Sequence, residues 1–404
     1  MRIHITINYQ LSTINYQLST VNCQLLFMLS PIYTKSPWQE TYSEIIDVRS
    51  EDEFAEDCIP GAINLPVLNN HERAKVGTIY KQESPFQAKK IGSAIVAQNI
   101  AKHLHNHFIN KDKKYFPLVY CWRGGQRSYS LALVLTQIGW QVTLLEGGYK
   151  TYRAYVREQL NQLPNRFTYK VLCGLTGTGK TYILHQLQLQ GVQVLDLERL
   201  ANHRGSLLGQ EWNFSTDSND STDFDSSLNK DNREKLFGKD KLSPQPSQKR
   251  FESLLLQELQ RLDCSKTVWV ESESNKIGQV HLPIVLWEKM KQANCVLVQL
   301  PKQQRIAWLL QQYPHLVAHP ETLKEKLNGL KSRYGGQKLQ QWYDWIDRGE
   351  WEVLVGDLLE YHYDPGYYRS LNKTYKQIEL ELPLADLSLN SIETALDVLL
   401  IVDS

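Results

Sequence analysis

The chain has 404 residues, with 45 Lys and Arg against 44 Asp and Glu and a formal net charge of +1. That length allows two separate cores, and the charge balance excludes a protein that holds polyanions by bulk charge, so any nucleic-acid surface must be a local patch. The six cysteines (Cys23, Cys58, Cys121, Cys173, Cys264, Cys295) show no paired spacing, which argues against a zinc site and a disulfide framework. No run is long and apolar enough to span a membrane. At the N-terminus, Ile7-Asn-Tyr-Gln-Leu-Ser-Thr13 repeats as Ile14 to Thr20. The period is seven, but Asn, Gln, Ser and Thr are poor coiled-coil material. Nor does an apolar core precede a cleavage site as in a secretory signal. Residues 1–27 therefore read as a disordered low-complexity extension, with Met28 opening the functional chain.

The first domain is expected over 28–155. Ile45-Ile-Asp-Val-Arg49 is a short apolar strand ending in a charged pair, Asp47 and Arg49. Ser50-Glu-Asp-Glu opens like a capped helix with acids in its first turn. Further on, the apolar run Pro117-Leu-Val-Tyr120 ends at Cys121-Trp-Arg-Gly-Gly-Gln-Arg-Ser128, and a helix-forming segment follows. A thiol where a strand gives way to a helix lies under backbone N–H groups and the positive end of the helix dipole. Both favour the thiolate and any anion above it. Arg123 and Arg127 add fixed positive charge, so Cys121 is the candidate nucleophile and is expected to be reachable from solvent. Val142-Thr-Leu-Leu-Glu-Gly-Gly-Tyr149 reads as a further strand ending in a glycine turn. A helix from Tyr149, broken at Leu163-Pro-Asn-Arg166, makes a short connection to the second domain, expected over 166–404.

That domain begins with the strand Tyr169-Lys-Val-Leu-Cys173 and then Gly174-Leu-Thr-Gly-Thr-Gly-Lys-Thr181, a complete phosphate-binding loop between strand and helix. Gly174, Gly177, Thr178 and Gly179 let amides converge on phosphate oxygens. Lys180 neutralises them, and the Thr181 hydroxyl is able to bind Mg²⁺. Beyond that Mg²⁺ role, no residue set is singled out as a metal centre. Thr267-Val-Trp-Val-Glu271 is the best candidate for the acid-ended strand that such a loop requires, with Glu273 two residues on. No Asn-Lys-x-Asp guanine motif occurs, so a diphosphate on another substrate is as admissible as ATP. The polar run from Val194 to Ser206 offers Asp196 and Arg204 as supporting residues. Residues 211–241 hold a Ser/Asp/Asn-rich insert that cannot bury enough apolar surface to order itself. In the C-terminal third, Lys331, Arg333, Tyr334, Lys338 and Trp342 interleave bases with aromatics. That pattern suits either RNA binding or amphipathic helices with aromatic core faces, broken at Gly335-Gly336.

Two resemblances arise from these segments. "DVRS", "IPGAINLP", the cysteine loop and "LEGGY" together resemble a rhodanese domain over roughly residues 40–152, which implies that Cys121 carries a persulfide or perselenide. Common single-domain sulfurtransferases place the arginine five residues after the cysteine; here Arg127 lies six after it, and the longer loop suits a tetrahedral phosphate. With "GLTGTGKT", "DLERLANHRGS", "PQPSQKRFE", "ESESNKIG" and "YDPGYY" following in order, residues 40–370 resemble the bacterial tRNA 2-selenouridine synthases. That resemblance implies an α/β architecture: a rhodanese-like domain, then a P-loop parallel-sheet domain with a helical C-terminal portion. It also implies a cytoplasmic transferase that replaces the sulfur of wobble 2-thiouridine in tRNA by selenium. Selenophosphate would be the donor, with a selenophosphate-supplying enzyme as a partner, and geranyl diphosphate the co-substrate for an S-geranyl intermediate. Two other classes stay open on residues alone. The Cys–x5–Arg spacing also fits a cysteine phosphatase or arsenate reductase fused to a P-loop kinase, although Tyr120 stands where a His would be expected. The alternative is a nucleotide-dependent regulator whose rhodanese domain only binds a partner.

Overall fold

A computed structural model describes residues 30–204, 245–375 and 377–403. The expected N-terminal extension (1–27) and the polar insert (211–241) lie outside the described residues. The chain divides into two compact units at Val156/Arg157, inside the helix Tyr149–Gln162.

In the first unit, five strands form one parallel sheet: β1 (Ile32–Thr34), β2 (Glu44–Asp47), β3 (Ile63–Asn64), β4 (Pro117–Tyr120) and β5 (Thr143–Leu145), in the order β1-β5-β4-β2-β3. All four residues of β4 are buried, as an apolar run covered on both faces of a parallel sheet must be. The expected cap is present: Ser50 and Glu53 form a reciprocal capping box at the helix Glu51–Glu56. The helix Gln126–Ile138 leaves the end of β4, stops at left-handed Gly139, and packs Leu131 and Leu135 onto Ile46, Val119 and Leu144.

The second unit is built on another parallel sheet: β6 (Tyr169–Gly174), β7 (Gln193–Leu195), β8 (Val268–Glu271), β11 (Asn294–Gln299) and β12 (Ile378–Pro383), ordered β12-β11-β6-β8-β7. A two-stranded hairpin, β9 (Lys276–Ile277) with β10 (Val280–His281), stands apart from it. β6 is central, with earlier and later strands on opposite sides. Its carboxyl end is therefore the switch point at which ligands bind in open α/β sheets. Leu172, Ile183, Leu187, Trp269, Val296 and Leu399 form the core around it. The helical portion has its own core of Leu327, Leu339, Trp342, Ile346, Leu354 and Leu358. Its helices are Pro320–Asn328 and Lys331–Asp347, and Gly335 breaks the second at φ 79°, within the expected Gly335-Gly336 break. The helix Trp351–Leu358 then passes through a π-helical turn, Leu359–Tyr363, into the helix Asp364–Thr374. Among the described residues, no helix is long and apolar enough to cross a membrane.

Candidate active sites in the two units

Cys121 follows β4 directly, and the Gly124-Gly125 turn leads from it into the helix Gln126–Ile138. Its carbonyl accepts the Tyr149 amide at 2.8 Å. Gly148 lies against that carbonyl and the Gly124 amide at φ +60°, where any Cβ would collide. The "LEGGY" turn is thus the wall that shapes the cysteine loop. Ser128 Oγ stands 3.2 Å from both Cys121 Sγ and the Gly125 carbonyl, so its one proton serves either the sulfur or the loop. Sequence reasoning missed Ser128; its place in the first turn of the following helix was the available signal. Cys121 is only 3% exposed. The expectation of a solvent-reachable thiol is corrected here: the glycine turn and Ser128 close over it.

The basic residues of this loop differ in role. Arg123 is exposed. Arg127 forks onto Glu53 at 2.8 and 3.4 Å. Burial alone would raise the Glu53 carboxyl, but Arg127 and the Ser50 amide more than offset it and hold it below the usual range. Asp47 and Arg49 form a fully buried pair, with Arg49 Nη2 2.6 Å from both Asp47 and the Asp57 carbonyl. The Arg49 guanidinium lies 4.0 Å from the Tyr149 ring centre and 5.9 Å from that of Trp122. The pair is the floor of the loop, bonded internally.

In the second unit, the loop Gly174 to Thr181 joins β6 to the helix Lys180–Leu189. Gly177 and Gly179 have positive φ and pack against Leu309 and Leu387. Thr178 turns inward onto the Leu175 carbonyl at 2.8 Å. Lys180 Nζ donates to the Gly174 carbonyl at 2.9 Å and lies 3.3 Å from Glu271. Thr181 Oγ1 is 2.7 Å from Glu271 and 3.2 Å from Glu198. Glu271 ends β8, as expected of an acid-ended strand. Glu198, Glu271 and Glu273 bring carboxylate oxygens within 4.8 Å of one another. Burial and then repulsion from Glu271 push Glu273 up to about 8. Glu198 is driven well up by the same causes. The Thr181 hydroxyl has one proton to give and two carboxyl oxygens within reach. Burial opposes the charge on Lys180, but Tyr367 and the surrounding acids keep it protonated.

The supporting residues expected from sequence are not all here. Asp196 caps the helix Leu197–Ala201 through the Arg199 amide at 2.8 Å and bonds His185 at 2.8 Å. Glu198, two residues on, enters the cluster. Arg204 donates to the Gln312 carbonyl at 3.0 Å and stacks on Tyr313. Two unforeseen residues hold the loop itself. Arg305, 3% exposed, donates to the Thr176 carbonyl at 2.8 Å and forks onto Asp364 at 3.0 and 2.6 Å. The Tyr367 hydroxyl accepts the Gly174 amide at 3.4 Å and shares a short hydrogen bond with Ser272. The "YDPGYY" segment is therefore fastened to the phosphate loop at both ends.

Comparison with known proteins decides which family has this arrangement. The family model for the tRNA 2-selenouridine synthase AAA domain matches residues 167–235 and 231–383. The chain belongs to the tRNA 2-selenouridine synthase family. A rhodanese-like domain model matches residues 33–155. The chain is 32% identical to the tRNA 2-selenouridine synthase of Salmonella agona, with 85% of this chain and 93% of that one aligned. It is 31% identical to that of Shewanella denitrificans (83% and 90%) and 29% identical to that of a Sulfurovum species (83% and 90%). The order expected from sequence, rhodanese-like domain, P-loop parallel-sheet domain and helical C-terminal portion, is the one found.

Proposed function

We propose that this chain replaces the sulfur of wobble 2-thiouridine in tRNA by selenium, by way of an S-geranyl intermediate. In the first half-reaction, the thiouridine sulfur attacks C1 of geranyl diphosphate. A C–S bond forms, the C–O bond breaks, and diphosphate leaves. The amides of Gly177 to Thr181 and the Lys180 ammonium take up charge on the leaving group. Mg²⁺ fits this site: Thr181 and three carboxylates form an oxygen-only donor set suited to a hard cation. Glu198, Glu271, Glu273 and Thr181 would hold it, and when bound it supplies positive charge to the diphosphate and relieves the crowding of the acids. In the second half-reaction, the selenium of selenophosphate, held at the Cys121 loop, adds to C2. The C2–S bond breaks and geranylthiol leaves; water then cleaves the P–Se bond, so that inorganic phosphate departs and C2=Se remains. Arg123 and Arg127 offer charge for the phosphate of the donor, Arg127 after release from Glu53.

What carries this reading is the pairing, in one chain of this family, of Cys121 at a helix N-terminus with a P-loop whose lysine and threonine face three carboxylates. The test is nucleoside mass spectrometry of bulk tRNA from cells with and without the gene. Selenouridine that depends on the gene, and on selenophosphate supply, supports the proposal; its presence in both strains contradicts it.

A further inference from the structure

The aromatic side chains of the helical portion fall into two groups. Trp342 is fully buried in its core. Tyr361 and Tyr368 are 53% and 52% exposed, although Leu359 and Leu371 on the same helical run are buried. Seven residues is close to two helical turns, so the two rings face one side of the run, roughly 10 Å apart along its axis. Cations accompany both. Lys338 Nζ lies 4.5 Å from the Tyr361 ring centre and is paired with Asp357 at 2.7 Å, so it orients the ring rather than offering a spare charge. The Arg333 guanidinium lies 5.3 Å from that of Tyr334, whose hydroxyl donates to the Tyr361 carbonyl at 3.1 Å. Exposed Arg369 adjoins Tyr368. The acids of the run are neutralised, Glu360 by Lys302 and Asp364 by Arg305.

We infer that this face, formed by Tyr361 and Tyr368 with Arg333 and Arg369, stacks the unpaired bases of the tRNA anticodon loop. Exposed rings alternating with cations are what single-stranded RNA requires: a π-face for each base and positive charge for its phosphates. The position also fits. Tyr367, next to Tyr368, reaches the Gly174 amide, and Asp364 holds Arg305 on the Thr176 carbonyl. Tyr368 therefore stands on the helix that fastens the loop assigned to the diphosphate. The π-helical turn at Leu359–Tyr363 widens the helix at Tyr361, a distortion common at functional sites.

The inference rests on the proposed tRNA substrate, and one experiment separates the two. Binding of a labelled anticodon stem-loop RNA to the full chain is measured by fluorescence anisotropy over a salt series, for wild type and for Tyr361→Ala, Tyr368→Ala, Tyr368→Phe and Arg333→Ala. Each Tyr→Ala change is expected to weaken binding about five- to a hundredfold, whereas Tyr368→Phe, which keeps the ring, binds like wild type. Arg333→Ala is expected to lower the salt dependence by about one phosphate contact. Thermal unfolding and diphosphate binding serve as folding controls and should stay unchanged. Wild-type binding with unaffected Tyr→Ala variants would overturn the surface and leave the proposed function standing. A wild-type chain that binds no RNA would overturn both.

Discussion

The cysteine loop and the phosphate loop solve a similar problem with different charge inventories. Each occupies a junction where a parallel strand gives way to a helix, and each carries cations able to meet a phosphate. At the cysteine loop, Arg127 is matched by one carboxylate, Glu53, while Arg123 is exposed. At the phosphate loop, Lys180 faces three acids, and two of them are pushed toward protonation. The first loop accepts an anion once a single ion pair opens. The second crowds three acids around one lysine, a crowding that a bound cation would relieve. On the proposed function the two would take different ligands: a small phosphate-bearing donor at one, a metal–diphosphate at the other.

The comparison breaks most visibly at the thiol. Cys121→Ala is expected to abolish selenium incorporation while leaving folding and S-geranylation in place, so geranylated nucleoside should accumulate in tRNA digests analysed by mass spectrometry. Selenouridine formed at a comparable rate would remove Cys121 from the mechanism. Next in size is Arg305→Ala, which strips the half-buried Asp364 of its partner and frees the Thr176 carbonyl. Losing one side of a buried pair costs roughly 3–5 kcal/mol, readable as a lower denaturation midpoint, with no effect expected on the separate core of the first unit. Lys180→Ala removes the buried lysine that the proposal assigns to the diphosphate and leaves the amide cradle. A charge-assisted contact of about 1.5–3 kcal/mol predicts a ten- to hundredfold loss of diphosphate affinity by calorimetry.

The smallest effect sharpens the contrast in charge. Glu273 has a folded-state value raised from 4.5 to about 8. The folded chain then binds a proton that the unfolded chain has released, and this contribution to stability is lost as pH rises toward 8. Relative to Glu273→Gln, wild type without divalent cation should lose stability between about pH 4.5 and 8. Saturating Mg²⁺ should flatten that difference. A difference independent of pH would mean that Glu273 does not share its site with the other two acids.

What the sequence made legible follows physical lines. β4, the capping box at Ser50, the glycine loop and Glu271 were all visible, because each is set by residues within a few positions of one another. Asp196 and Glu198 stood in the same acidic run, and only local geometry separated them. An Asp at a helix N-cap spends its carboxylate on the first free amides, which leaves the residue one step into the helix to face the P-loop. Ser128 was within reach of the same reasoning. Arg305 and Tyr367 were not, since their contacts with Thr176 and Gly174 cross more than a hundred residues and no local periodicity encodes them; Asp364 joins only through Arg305, 59 residues away. The enclosure of Cys121 is of that kind too: it depends on Gly148, brought in by the pairing of β4 with β5.

The division of labour between the two loops is tested most directly by giving pre-geranylated tRNA and selenophosphate to the Lys180→Ala and Cys121→Ala variants and following selenouridine by mass spectrometry. The account predicts that Lys180→Ala converts this substrate at close to the wild-type rate, having failed on 2-thiouridine tRNA, and that Cys121→Ala does not convert it. Failure of Lys180→Ala on the pre-geranylated substrate, together with wild-type turnover that depends on ATP, would contradict the assignment of the phosphate loop to geranyl diphosphate.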